Sequence, residues 1–218
     1  KNHENGMLRY VGSFKDDKPV GEFKYYDNEG SLQKKVDHKN DASYFVAFFK
    51  SGEVMAVGKY VNQKRDSTWN FYDVDGFKKA SEYYINGLKN RVSFAYFPNG
   101  QIAEEKAFFN DFENGKWNKY YVDGKKKMEA TYENGGLEGK AVYYRSDGRR
   151  SVSGFYYHGT RNGVWLYFDA DGKTIVKKEK YDKGKRVDKD KEDMYEKEPL
   201  KPISEDFLEL DENGMPRQ

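Results

Sequence analysis

Aromatic and lysine side chains lie side by side in the stretch GKWNKYYVDGKK at residues 115–126. Rings beside ammonium groups can bind a sugar, a nucleobase or an anionic head group. The same stretch contains Val-Asp-Gly, which is a turn sequence, so it can equally be one β-hairpin. The rest of the chain decides between a ligand site and a unit of architecture.

Acidic residues and a glycine-rich segment offer other candidate chemistry. Two aspartate pairs resemble the start of a calcium loop: Asp73 with Asp75, and Asp169 with Asp171. Both pairs lack the later ligands and the bidentate glutamate, and both fall where a turn is expected. The segment GGLEGKA at 135–141 lacks the spacing of a phosphate loop. Turn formation is therefore the preferred interpretation of all three.

The histidines and the potential nucleophiles do not indicate a metal site or a catalytic site. The histidines are His3, His38 and His158, and none has a second His or Cys at metal-ligand spacing. Carboxylates are abundant, yet nothing singles out a pair for glycosidic cleavage. No nucleophile–base arrangement is recognisable. The sequence therefore predicts a non-enzymatic protein with no cofactor and no metal.

Composition narrows the class of partner. The 218 residues carry 39 basic and 37 acidic side chains, a net charge of +2, so there is no basic footprint for nucleic acid. No apolar run approaches the length of a membrane span. Cysteine is absent, which excludes disulfides and leaves the compartment open. Aromatic residues make up 17% of the chain, which argues against disorder and predicts a thin core built from rings.

A fixed period explains the opening stretch. A glycine follows each aromatic pair, with spacings of 22 and then 24 residues: Gly30, Gly52, Gly76, Gly100, Gly124, Gly148 and Gly172. A second aromatic series recurs at the same interval: Tyr60, Tyr84, Phe108, Tyr132 and Tyr156. Such a period indicates a repeat architecture, of which GKWNKYYVDGKK is one copy.

Each period contains two candidate strands and two turns. Turn signals every 10 to 13 residues leave no room for crossover helices, so neighbouring strands should pair antiparallel. The predicted fold is all-β, an elongated antiparallel meander of about seven 24-residue hairpins. It forms a single sheet that curls and twists because it is so long.

One position in each repeat predicts how neighbouring copies pack. From Trp69 onward it alternates between large and small side chains: Trp69, Ser93, Trp117, Ala141 and Trp165. An indole can lie over the small residue of the next copy, so Trp117 is expected to be largely buried. A ligand platform is the alternative, and its candidate binding face comprises Trp69, Trp117, Trp165, Tyr121, Tyr143 and Tyr167.

These patterns resemble the MORN repeat (membrane occupation and recognition nexus), in the variant found in bacterial YwqK-type antitoxins. The resemblance covers about residues 7 to 186 and is clearest in GKWNKYYVDG and GVWLYFDADG. It implies a hairpin-repeat sheet that binds lipids, partner proteins or further copies, without catalysis. The copy at 31–50 departs from the pattern, because His38 replaces the second aromatic and the period shortens to 22. We therefore expect a distorted copy there.

The rhythm stops after Arg186, which divides the chain into a repeat array at 1–186 and a charged linker and tail at 187–218. The segment at 205–214 can be a detached half-repeat or a short helix. Its apolar part, residues 207–210, is expected to dock on the open end of the sheet, because an exposed edge recruits other chains.

Two functions follow from these expectations. The first is a scaffold that binds a partner protein through its aromatic-rich sheet, in the manner of an antitoxin. The second is a cell-envelope or secreted module that binds glycan or lipid head groups. If an upstream signal was removed before Lys1, a periplasmic, surface or secreted location is slightly favoured over a cytoplasmic one.

Overall fold

The computed structural model describes residues 1–187, which form one open antiparallel sheet of 17 strands without any helix. Successive strands pair antiparallel, except that the pieces at 136–137 and 139–144 both pair with the strand before them. Within these residues the sheet is therefore a meander that does not close into a barrel. The all-β repeat fold predicted from the period is thereby confirmed. The predictions for the tail, including the docking of residues 207–210, lie outside the described residues.

The strands follow the two-strand rhythm of the repeat. Their bounds are β1 (Tyr10–Lys15), β2 (Lys18–Tyr26), β3 (Leu32–Lys39), β4 (Ala42–Phe48), β5 (Val54–Val61), β6 (Lys64–Tyr72), β7 (Lys78–Ile85), β8 (Leu88–Tyr96), β9 (Ile102–Phe109), β10 (Phe112–Tyr120), β11 (Lys126–Glu133), β12 (Gly136–Leu137), β13 (Gly139–Tyr144), β14 (Arg150–Tyr157), β15 (Thr160–Phe168), β16 (Ile175–Asp182) and β17 (Lys185–Arg186). We call β2, β4, β6, β8, β10, β12 with β13, and β15 the pair strands, because they carry the aromatic pairs.

Two kinds of turn connect the strands. In the first kind, Asp73 Oδ1 accepts hydrogen bonds from the backbone N–H groups of Asp75 and Phe77 at 3.1 and 2.9 Å. Asp73, Asp169 and Asp171, which resembled parts of a calcium loop, thus stabilise turns through their side chains. In the second kind, two residues with positive φ join the strands, as at Asn86-Gly87 and His158-Gly159. Asn and Gly tolerate this conformation best, which is why the dipeptide recurs.

A two-residue bulge recurs in the pair strands. In β15, residues 162 to 166 oppose only residues 155 to 153 of β14, so two residues of β15 have no partner. The same shift occurs in β2, β6, β8, β10 and between β12 and β13. Each bulge contains a residue with positive φ: Gly21, Ser67, Arg91, Gly115, Gly139 and Gly163. A bulge lengthens the strand locally and re-aims the side chains that follow it.

Strand β4 has no such bulge. Residues 42 to 47 pair one-to-one with residues 39 to 34 of β3. The 22-residue period of this copy is therefore explained, since the two missing residues are those that form the bulge elsewhere. The expected distortion is absent from the ladder between β3 and β4, which pairs six residues on each strand without a register shift.

Candidate functional site

One face of the sheet carries a continuous row of side chains, which we call the central row. It follows the strand order as Gly12, Phe23, Val36, Phe45, Gly58, Trp69, Glu82, Ser93, Lys106, Trp117, Ala130, Ala141, Gly154, Trp165 and Glu179. The row contains the alternating position from the sequence and adds the residues of the intervening strands. Among the described residues, the largest side chains with no more than 1% exposure are Phe23, Trp69 and Trp165, all in this row.

Each of these three rings lies over a glycine of the preceding strand. A Cβ added at Gly58 would lie 2.1 Å from the Trp69 ring, and one at Gly154 would lie 2.3 Å from the Trp165 ring. The same holds at 2.4 Å for Gly12 beneath Phe23. Glycine is needed here for the space it leaves, because any Cβ would overlap the ring.

The Trp165 cluster is completed by hydrogen bonds and a cation. The indole N–H donates to the Phe155 carbonyl oxygen at 3.2 Å, so the buried ring leaves no polar atom unpaired. The Arg161 guanidinium lies 4.1 Å from the ring centroid and covers it. Tyr156 packs edge-on against the ring at 5.1 Å, and Ala141 belongs to the same buried cluster. This packing agrees with the expected contact between an indole and the small residue of the next copy.

Glu179 accepts hydrogen bonds from the polar groups around this cluster. Its carboxylate accepts hydrogen bonds from the hydroxyls of Tyr167 and Tyr181, and Lys177 lies 3.0 Å away. Burial works against ionisation of Glu179, but the hydrogen bonds from Tyr167, Lys177 and Tyr181 outweigh it and lower its pKa to about 2. Burial and the hydrogen bond to Glu179 raise the pKa of Tyr167 to about 12. Arg161 donates to the same two hydroxyls, so the negative charge of Glu179 is linked to the Arg161 cation through Tyr167 and Tyr181.

The Trp69 cluster repeats this arrangement 96 residues earlier in the chain. Its indole N–H donates to the Lys59 carbonyl oxygen at 3.1 Å, and the Arg65 guanidinium lies 4.5 Å from the ring. Arg65 donates to the Tyr84 hydroxyl at 3.1 Å, which in turn donates to Glu82 at 2.6 Å. Two distant repeats therefore contain the same assembly of Gly, Trp, Arg, Tyr and Glu.

The Trp117 repeat departs from this assembly. Lys106 occupies the place of the glycine, and Trp117 is only half-buried. Its indole donates instead to Glu104 Oε1 at 2.5 Å, with the ammonium groups of Lys106 and Lys119 at 4.9 and 4.8 Å from the ring. The expectation that Trp117 is largely buried holds only in part, because a lysine side chain beneath the ring prevents close approach.

The three tyrosines of the predicted binding face are all half-buried. Tyr121 and Tyr143 line a shallow depression of about 270 Å³ together with Lys127 and Arg161. Tyr121 donates to the Tyr144 carbonyl oxygen at 2.8 Å, and Tyr143 pairs with the Tyr156 hydroxyl at 3.0 Å. Tyr143 and Tyr167 both pack against the buried Trp165 cluster. The six predicted residues therefore share one face, but Trp69 and Trp165 are enclosed within it.

A second row runs alongside the central row, closer to the Asn-Gly turns. It consists of the second cross-strand pair from each of these turns, and we call it the cap row. Its pairs are Phe14–Pro19, His38–Ser43, Tyr60–Arg65, Tyr84–Lys89, Phe108–Glu113, Tyr132–Leu137, Tyr156–Arg161 and Tyr181–Arg186. At His38–Ser43, a histidine of β3 takes the place of the first aromatic residue, and a serine of β4 takes the place of its partner.

Small side chains at this one pair open a groove of about 380 Å³. Its lining comprises Lys34, Val36, His38, Asn40, Asp41, Ser43, Phe45, Tyr60, Asn62 and Gln63. His38 Nδ1 pairs with the Ser43 hydroxyl at 2.9 Å, while Nε2 is enclosed without a hydrogen-bond partner. We call this depression the β3–β5 groove.

The opposite face carries exposed apolar side chains at two adjacent hairpin tips. Ile85 pairs with Leu88 across one turn, and Phe109 pairs with Phe112 across the next. The exposed fractions are 42% and 41% for the first pair and 62% and 63% for the second. We call these four residues the tip surface. Alternation along β7 and β9 places it opposite Tyr84 and Phe108 of the cap row.

Several of these residues were not recognised in the sequence, although a signal was present. A glycine stands eleven residues before Phe23, Trp69 and Trp165, whereas Lys106 stands at that distance before Trp117. An arginine stands four residues before Trp69 and Trp165. These regularities separate the buried tryptophans from the half-buried one, but their meaning requires the register between strands.

Fold and site together define an all-β hairpin-repeat protein whose repeats differ in how their central row is capped. A family model described as a MORN repeat variant matches residues 19–40, which span most of β2 and all of β3. The match supports the resemblance at the level of one repeat. None of the comparisons bears on the narrower likeness to YwqK-type antitoxins.

No curated protein matches the chain. Among solved structures, a mutant of S. aureus TarM in complex with fondaparinux, alpha-GlcNAc-glycerol and UDP is 14% identical, with a TM-score of 0.35. The similarity covers 50% of this chain and 22% of that one. A second TarM structure is 14% identical with a TM-score of 0.34, covering 48% and 22%. This chain thus spans about a fifth of their length, and likeness at this level supports no inference about function.

Two further observations concern ions and membranes. Among residues 1–187, no group of three or more His, Asp or Glu side chains is arranged to hold a metal ion. Within the same residues, no helix has the length and apolar character needed to cross a bilayer.

Proposed function

We propose that this protein is a non-catalytic repeat scaffold that binds a partner protein through the tip surface. The observation that carries the proposal is the exposure of Phe109 and Phe112 side by side at a hairpin tip, next to Ile85 and Leu88 of the adjacent tip. Contiguous exposed apolar groups of this kind mark interaction sites, since they lower stability and solubility when left in water.

The surroundings of the tip surface favour a protein as the partner. The Arg91 guanidinium stacks 4.1 Å from the ring centroid of Tyr83, which alternates onto the same face as Ile85. Aromatic residues and arginine are enriched at the centres of protein–protein interfaces. The side chains of the tip surface are 41% to 63% exposed at strand ends, whereas small-molecule sites bury most of their ligand in an enclosed cleft. We infer a partner segment with apolar side chains that pack against the two phenylalanines.

An antitoxin-like role fits this proposal as its finer form. A non-catalytic scaffold with one apolar docking surface can sequester a partner protein by covering part of that partner. The support is the resemblance of the repeats together with the tip surface. The partner of an antitoxin would itself be a toxic protein, so identification of the partner tests the finer form.

The test compares matched variants in quantitative affinity capture from the native host. The double variant Phe109→Ser/Phe112→Ser removes the two most exposed rings of the tip surface. The control Val74→Ser/Val122→Ser removes apolar side chains that are 53% and 59% exposed in turns at the other end of the strands. We expect a specific protein that is recovered with the parent chain and the control, and lost with the phenylalanine variant.

Two results would contradict the proposal. One is an unchanged recovery profile for the phenylalanine variant. The other is a concentration-dependent dimer of the parent chain that the phenylalanine variant abolishes, which would assign the tip surface to self-association. Thermal melts of all three chains establish that each is folded before the profiles are compared.

A further inference from the structure

We propose that the β3–β5 groove is a binding site for a neutral polyhydroxylated ligand, such as the end of a saccharide chain. It lies on the face opposite to the tip surface and does not depend on the function proposed above. The argument rests on how the groove forms, which groups line it and which charges it lacks.

The groove is a specific departure from the repeat. In the Trp69 and Trp165 repeats, an arginine and a tyrosine of the cap row cover the central row. In this copy, Ser43 stands at the place of the arginine and His38 at the place of the tyrosine. Because β4 also lacks the bulge, residues 40–41 and 62–63 of two adjacent turns border the opening directly.

The groups that line the groove suit a sugar. Phe45 and Tyr60 meet edge-to-face at 5.7 Å and offer apolar surface against which the C–H face of a sugar ring can pack. At the rim, the amides of Asn40, Asn62 and Gln63 both donate and accept hydrogen bonds, as hydroxyl groups require. A volume of about 380 Å³ is at the lower end of the range for small-ligand sites.

An unpaired buried atom gives an independent indication. His38 Nε2 is enclosed with no hydrogen-bond partner, although Nδ1 is paired with Ser43. An unsatisfied buried polar atom is costly, and native proteins usually satisfy it with water or a ligand. The His38 ring packs edge-on against Phe23 at 5.3 Å, so Nε2 reaches the groove only if the side chain rotates. After that rotation, either tautomer can pair with a ligand hydroxyl, which donates to a bare nitrogen or accepts from an N–H.

Charge argues against an anionic ligand. The only cationic groups among the lining residues are Lys34 and, when it is protonated, His38. The Lys34 ammonium already lies 4.6 Å from the Tyr25 ring centroid. The Asp41 carboxylate borders the opening and repels a phosphate or sulfate. A neutral ligand is therefore favoured, and Asp41 accepts hydrogen bonds from its hydroxyl groups.

The test uses an array of immobilised neutral and acidic glycans probed with the tagged chain, followed by saturation-transfer NMR with each free glycan that binds. The variant Ser43→Arg places in this copy the side chain that caps the Trp69 and Trp165 repeats. The matched control is Tyr44→Arg, which adds the same side chain one residue away, at an exposed position on the opposite face. Filling the groove should weaken binding roughly tenfold or more, since a designed clash excludes the ligand.

We expect binding of at least one neutral glycan by the parent chain and by Tyr44→Arg, and its loss in Ser43→Arg. If Ser43→Arg fails to fold, Asn62→Gly/Gln63→Gly serves in its place and should give the same loss, because glycine keeps the positive φ of this exposed turn while both amides are removed. The proposal is overturned if no neutral glycan binds, if only acidic glycans bind, or if the groove variants bind as the parent does. The Phe109→Ser/Phe112→Ser variant should retain glycan binding, which separates this site from the tip surface.

Discussion

The Trp165 repeat and the β3–β5 groove are two versions of the same unit with opposite results. In the first, a bulged strand carries Arg161, which covers a buried indole. In the second, an unbulged strand carries Ser43, and the central row beneath it stays open. The absence of the two bulge residues and of the covering arginine converts a structural unit into a candidate binding site. Repeat proteins can thus gain a site by the loss of local packing in one copy.

The largest loss of stability should come from removal of the buried Trp165 ring. Trp165→Ala removes a fully buried indole, so we expect a loss of about 3–5 kcal/mol in the free energy of unfolding. Trp117→Ala should cost less, about 1–2 kcal/mol, because that ring is half-exposed and lies over a lysine. Chemical denaturation measures both values, and equal losses would show that the two repeats do not differ in packing.

The second-largest loss of stability should come from substitution of the glycine beneath the Trp165 ring. Gly154→Ala places a methyl group within 2.3 Å of the Trp165 indole, so the ring must shift, at a cost of about 1–3 kcal/mol. The control is Gly136→Ala, where the nearest heavy atom to the added methyl group lies at 3.7 Å. A stability of Gly154→Ala within error of that control would refute the close contact. Indole fluorescence reports on the displacement of the ring.

Acid should destabilise the Trp165 repeat by protonating Glu179. Its pKa is lowered from 4.5 to about 2 in the folded protein, so its contribution is present above about pH 4.5 and is lost as the pH falls towards 2. We expect Glu179→Gln to remove on the order of 2 kcal/mol of this acid-sensitive stability. The measurement is denaturation from about pH 7 to about pH 3. Glu133→Gln, at an exposed strand end, is the control, and parallel profiles for both variants would contradict the assignment.

The smallest effect should come from the cap itself. Arg161→Ala removes the cation over Trp165, which is worth about 1 kcal/mol at a partly exposed site. Arg161→Lys keeps the charge but loses the planar stacking, so its free energy of unfolding should lie between those of the parent and Arg161→Ala. A shift of tryptophan emission to longer wavelength should accompany the loss of cover. The exposed Lys116→Ala serves as control, and an equal effect there would mean that Arg161 does not cap the ring.

The repeat could be predicted from the sequence because its signals are local. Asn86-Gly87 and the Asp73 turn each fix a chain reversal through the conformations that a few residues allow. Two turns per 24 residues then require a meander. The groove could not be predicted in this way. His38 and the short period were recognised as a departure, but they were interpreted as distortion, since nothing local shows that the two absent residues belong to a bulge.

By itself, the sequence determined the period, the hairpins, the open all-β sheet and the face on which the six predicted residues lie. These features depend on alternation and turn chemistry, which act between neighbours in the chain. Only the tertiary structure decided which rings are enclosed, since Trp165 depends on Gly154 beneath it and Trp117 on Lys106. It also decided that Ser43 stands where Arg65 and Arg161 stand in other repeats. The physical reason is register: a bulge moves every later cross-strand contact by two residues, and a side chain is buried only by what faces it.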